Sequence, residues 1–168
     1  MKGKAAETFE ELHMYQRARE LCRAVYALTR KAPFHTDFGL VDQIRRASVS
    51  IMSNIAEGFE HGTTPRFIEY LYISKGSCGE VRAQLQVAAD QEYVDLQTFE
   101  RLGDDCRRLS GMISNFIAHL QSSGYAGEKF TRPLRLAAQT SQEWQVALRA
   151  AQLANIRPAQ PASPDASP

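Results

Sequence analysis

The sequence predicts an all-α fold, an antiparallel up-down four-helix bundle, on three observations. Apolar residues recur at steps of three and four through four separate stretches between residues 8 and 121. Each stretch has helix start or stop signals at its ends, and the links between them are short. Composition is that of an ordinary globule, with 43% hydrophobic and 23% charged residues, which excludes a collagenous or wholly disordered chain. One domain with a tail accounts for the 168 residues.

The first helix is announced by Thr8 with Glu11 three residues on, a pair that can satisfy free N–H groups at a helix start. It is predicted to run to about Lys31. Met14, Ala18, Leu21, Val25 and Leu28 form its core stripe, and Arg19, Arg23 and Arg30 share the opposite side. Ala32-Pro33-Phe34 ends it, because the residue before proline is pushed out of the helical region.

The second helix is predicted over residues 38–59, with Val41, Ile44, Ser48, Ile51, Ile55 and Phe59 inward; Gly58 and the Gly62-Thr63-Thr64 turn stop it. The third starts with Thr64 as cap and Pro65 at the first helical position, where a missing N–H costs nothing. Its stripe reads Phe67, Leu71, Ser74, Cys78, Val81, Leu85 and Ala88, and it reaches about Tyr93. Asp95 caps the fourth, in which Phe99, Leu102, Cys106, Leu109, Ile113, Phe116 and Leu120 alternate most regularly. The bundle thus occupies residues 1–124. Residues 125–157 hold a possible extra amphipathic helix around Trp144, Leu148 and Ala151, and 158–168 are predicted to be a disordered tail, too poor in apolar area to offset ordering entropy.

Several functions are disfavoured at once. No apolar run approaches the roughly 20 residues that span a bilayer, and the first residues lack a secretory signal, so a cytoplasmic location without membrane contact is expected. Net charge is +1, and residues 1–121 carry 15 basic and 16 acidic side chains, so any polyanion site must be local. Cys22, Cys78 and Cys106 are an odd number of well-separated residues at core positions, expected as free thiols. His13, His35, His61 and His119 are scattered, and the inward stripes lack the Glu-x-x-His pairs of di-iron bundles, so neither metal nor cofactor is expected. Gly76-Ser77-Cys78-Gly79 lacks the Gly-Lys-Ser/Thr ending of a phosphate loop. Ser48, Ser50 and Ser53 have no histidine at helical spacing to activate them, so no catalytic residue is assigned and a non-enzymatic protein is expected.

Two helices carry more than a core stripe. On the second, Arg46, Ser50, Ser53 and Glu57 share one narrow strip, either a solvated outer face or a second contact surface. On the third, Ile73, Gly76, Glu80, Ala83 and Val87 lie opposite the core, where a lone bundle normally places charge. Gly76 and Gly79 each cost about 1 kcal/mol relative to alanine, a cost that a neighbouring helix in close approach would offset. Self-association is the expectation, with Ser50, Ser53, Asn54, Glu57, Ile73, Gly76, Ser77, Glu80 and Ala83 as oligomer or helix-packing positions. Basic candidates for phosphate are Arg45 and Arg46 first, then Arg17, Arg19, Arg23, Arg107 and Arg108; on one monomer such arginines are mostly solvated or bridged, but a ring of copies would repeat them.

The segment Gln43-Ile44-Arg45-Arg46-Ala47-Ser48-Val49-Ser50-Ile51-Met52-Ser53-Asn54-Ile55-Ala56-Glu57-Gly58 resembles the most distinctive motif of the bacterial four-helix bundle proteins encoded in ribosomal RNA intervening sequences. Phe9 to Ala18 resembles that family's opening motif, and Phe67-Ile68-Glu69-Tyr70-Leu71-Tyr72-Ile73 with Gly76-Ser77 and Glu80 its next block. Met52 stands where the family commonly has proline, and Cys78-Gly79 replaces a more helix-favouring pair. The resemblance covers about residues 9–121 and implies a bundle that assembles into a ring, usually a homopentamer. It also implies a relation to the accessory variability determinant proteins of diversity-generating retroelements, which bind nucleic acid and partner a reverse transcriptase. The leading expectation is therefore a homo-oligomeric scaffold that holds RNA or DNA through a repeated basic surface. The alternative is a protein–protein interaction module, docking a partner through the ring or the Trp144 segment without nucleic acid.

Overall fold

The computed structural model describes residues 6–122. They form α1 (His13–Leu28), α2 (Phe38–Glu60), α3 (Thr64–Asp90) and α4 (Leu96–Ser122), with single 3₁₀ turns at Phe9–Glu11 and Phe34–Thr36. Helix α1 packs on α2, α2 on α3, α3 on α4, and α4 closes against α1, the neighbour order of an up-down bundle. Among the described residues there is no strand, and none of the helices is long and apolar enough to cross a membrane. The segment around Trp144 and the tail lie outside the described residues.

The core is the one the stripes predict. All the inward positions of α1, α2 and α3 named above are buried, Ser48 and Ser74 among them. On α4 the stripe shifts: Phe99 and Phe116 are half-buried at its margin, and Ile117 fills the centre instead. The three thiols are free and buried, and burial pushes Cys78 and Cys106 up to about 12. At one end Phe34 stacks on Tyr93, joining the α1–α2 and α3–α4 links. At the other, Phe67 meets Phe59 and Phe116 edge-on.

Four local expectations are corrected. Thr8 makes no side-chain cap; the Glu11 carboxylate accepts the Glu7 N–H at 2.8 Å, and α1 begins only at His13. An extended Leu12 explains this, since it lets Leu12 and Met14 both be buried, whereas a continuous helix would set them about 200° apart. Helix α1 also stops at Leu28 rather than Lys31, where the buried Thr29 hydroxyl turns back to donate to the Val25 carbonyl at 2.9 Å. Thr63, not Thr64, is the N-cap of α3, and α3 ends at Asp90 because Glu92 adopts φ 57° and the Tyr93 N–H returns to the Ala88 carbonyl.

Gly58 does not stop α2. It lies inside the helix where α2 and α3 touch, and a Cβ there would stand 2.6 Å from Tyr70 Cβ and 2.9 Å from Phe67 Cδ2. Gly62, at φ +70°, makes the turn.

Candidate interaction surface

Helix α3 is walled by apolar or small residues on two sides. Its inner side is the core; its outer side presents Ile73, Gly76, Glu80, Ala83 and Val87 at alternating steps of three and four, the spacing of a helix–helix seam. Ile73 is 52% exposed and Val87 46%, with Tyr72 beside them at 51%. A Cβ added at Gly76 or Gly79 would meet nothing within 4 Å, so a strip of helix backbone is bare.

The polar candidates divide. Ser77 is buried and its hydroxyl donates to Ser50 Oγ at 2.9 Å, while the Asn54 amide donates to the Ser50 carbonyl at 2.8 Å and to its hydroxyl at 3.0 Å. Ser74 Oγ donates to the Ile51 carbonyl at 2.6 Å. The Ser50–Ser77 bond ties α2 to α3 within one chain, with Asn54 bracing Ser50 from its own helix, and Ser50 is half-buried at the edge of the strip. Ser53 is exposed. Glu80 shares a cleft with Asp42, Gln43, Arg46, Ala47 and Ser50.

The arginines divide as sharply. Arg45 reaches the end of α1, donating to Thr29 Oγ1 at 2.8 Å and to the Thr29 carbonyl at 3.3 Å, with its guanidinium 5.0 Å from the Tyr26 ring centroid. It bonds the C-cap residue of α1, a job inside the subunit. Its neighbour Arg46 points out, 81% exposed and 3.7 Å from Asp42. Arg17 pairs with Glu20 and Arg101 with Asp105 on the same helix face. Arg107 is held by Asp104, whose carboxyl that hydrogen bond keeps below its usual range. Among the described residues Arg19, Arg23, Arg30 and Arg108 form no ion pair. Arg19 and Arg23 line one groove of α1 with Glu10, Tyr15, Gln16 and Glu20, so that groove is basic but not purely so.

A compact polar triangle sits where α2 turns into α3. Tyr70 Oη donates to Glu57 Oε1 at 2.8 Å, His61 Nε2 lies 3.2 Å from Tyr70 Oη and 3.9 Å from Glu57 Oε1, and the His61 and Tyr70 rings stack at 5.1 Å. The hydrogen bond to the carboxylate, more than burial, raises the Tyr70 phenol above its ordinary range. Glu57 in the last turn of α2 and His61, its C-cap, are four residues apart and legible as a pair in the sequence; the third member comes from α3. Among the described residues no three His, Cys, Asp or Glu side chains gather as a metal site.

A model of the 23S rRNA-intervening sequence proteins matches residues 10–115. The chain belongs to that family. The 23S rRNA-intervening sequence match ends inside α4 and spans all four helices. Among solved structures the chain resembles a protein of unknown function from the S23 ribosomal protein family of Bacteroides thetaiotaomicron VPI-5482, at 22% identity and a TM-score of 0.57. That likeness covers 62% of this chain and 97% of the other, and it supports the fold. No curated protein matches the chain. Neither match names an enzymatic activity.

Proposed function

We propose that this chain is a non-enzymatic scaffold that assembles with copies of itself through the outer face of α3 and holds nucleic acid by its phosphates. The observation that carries the reading is the bare, largely apolar stripe from Ile73 to Val87 on a helix whose other side is already in the core. Only a further helix gives such a stripe the close partner its glycines suit. The half-exposed Val49 and the exposed Ser53 on α2 offer a different patch for the neighbouring copy to meet. A contact between unlike patches is head-to-tail, and such contacts close into a ring when the rotation between copies divides a full turn.

Phosphate contact falls to the unpaired Arg19, Arg23 and Arg108 and the outward Arg46, repeated around such a ring; Arg45, partly engaged at Thr29, keeps guanidinium N–H groups to join them. Light scattering on the full chain at micromolar concentration is expected to give a homo-oligomer, and the Ile73→Glu, Ala83→Glu variant a folded monomer. Structured RNA and single-stranded DNA are expected to bind the oligomer with affinity that falls steeply with salt, and Arg19→Glu, Arg23→Glu to weaken binding without changing its mass. A wild-type monomer refutes the assembly. An oligomer indifferent to both nucleic acids refutes the phosphate reading and leaves the stripe as a protein-docking surface.

A further inference from the structure

We infer that Glu57, His61 and Tyr70 form a surface site for a copper(II)-class divalent ion, bound through Glu57 Oε1, His61 Nε2 and Tyr70 Oη. The three donors stand 2.8, 3.2 and 3.9 Å apart. A triangle with those sides has a circumscribed radius of about 2.0 Å, the bond length of a first-row divalent ion to imidazole nitrogen or carboxylate oxygen. An ion near the donor plane would therefore reach all three without any donor moving far.

The same triangle selects the ion. Seen from its centre the sides subtend about 90°, 110° and 160°, a T-shaped set with two near-right angles and one wide one. That is three corners of a tetragonal plane, the arrangement nitrogen and oxygen donors give copper(II); a tetrahedral zinc ion would have to close the wide angle. With Glu57 and His61 about half exposed, the fourth corner faces water.

The site is held before any ion arrives. Gly58 lets α3 approach α2 beside Glu57, which fixes Tyr70 against the carboxylate, and the stacked His61 ring lies alongside. Binding replaces a proton with the ion: the O–H bond of Tyr70 breaks, the oxygen keeps the electron pair and binds the metal, and the proton leaves to solvent. Glu57 loses the hydrogen bond from the phenol and gains a metal bond, and His61 binds as neutral imidazole.

The test is a copper(II) titration of the full chain with glycine as competitor, followed by electron paramagnetic resonance and visible absorption, then repeated with zinc(II). Expected are one tightly held copper per chain, one coordinating nitrogen, a phenolate-to-copper charge-transfer band, a raised melting temperature and weaker binding of zinc. His61→Ala is expected to weaken binding by about tenfold or more, and Tyr70→Phe, which keeps the stacked ring and the packing at Gly58, to remove the band and weaken binding. Copper fully stripped by glycine from the wild-type chain overturns the assignment. So does copper bound undiminished by His61→Ala, or a band that survives Tyr70→Phe, since His13, His35 or His119 would then be holding the ion.

Discussion

Replacing Gly76 and Gly79 by alanine tests the α3 surface from both sides at once. In the single bundle each glycine sits in the interior of a 27-residue helix with nothing within 4 Å of a new Cβ. Nothing in the subunit opposes the substitution, so each should stabilise by about 1 kcal/mol, the helix-propensity difference between the two residues. The pair should give about 2 kcal/mol, or roughly 6–8 °C in the melting temperature of a domain of this size. In an assembly the sign reverses, because the Gly76 methyl group enters the seam between backbones, with the Gly79 methyl group at its edge, and pushes the neighbouring copy away. The double variant should thus melt higher at concentrations low enough to dissociate it, and dissociate at higher concentration than wild type. Thermal melts and light scattering over the same dilution series read both quantities. A variant that melts higher and associates as tightly as wild type would refute close packing at these glycines; one that melts lower when dissociated would refute the open space around them.

Gly58→Ala has no such freedom: the new methyl group collides with Tyr70 Cβ, an atom that any side chain but glycine's retains, and a loss of about 2–3 kcal/mol in urea unfolding is expected. The Cys78 and Cys106 thiols, held near 12 by burial, should stay inert to a thiol reagent at pH 8 until the chain unfolds, so labelling should track unfolding. Asp95 is kept below its usual range by hydrogen bonds from the Thr98 N–H and hydroxyl. A carboxyl lowered in the folded state stabilises above its unfolded pKa and ceases to do so as pH falls through the folded one; Asp95→Asn should flatten the acid side of the stability–pH curve.

The fold was legible because burial on α1, α2 and α3 follows a strict period, and period is what a helix wheel reads. Its local errors have one cause, which is that neighbours outrank signals. Thr8 and Glu11 carry the right spacing for a cap, yet burying Leu12 beside Met14 moves the helix start. Gly58 looks like a stop and is a crossing point, since what decides its role, the Tyr70 Cβ, comes from another helix. The outer stripe of α3 needed only its own helix and was read directly. Ser50, placed on an outer strip by the wheel, turns out to face Ser77, because a wheel gives directions and not where the next helix leans. Arg45 and the Tyr70 triangle were hidden for the same reason: their partners lie 16 and 13 residues away, on other elements.

The missing side chain at Gly58 also works as a gauge. Here nothing but a hydrogen atom separates the two backbones' immediate surroundings, and the polar atoms one residue and one turn away inherit a spacing with little slack. Position 58 should accordingly stay glycine, and a lineage that lost it would lose the registration of its neighbours before it lost the fold.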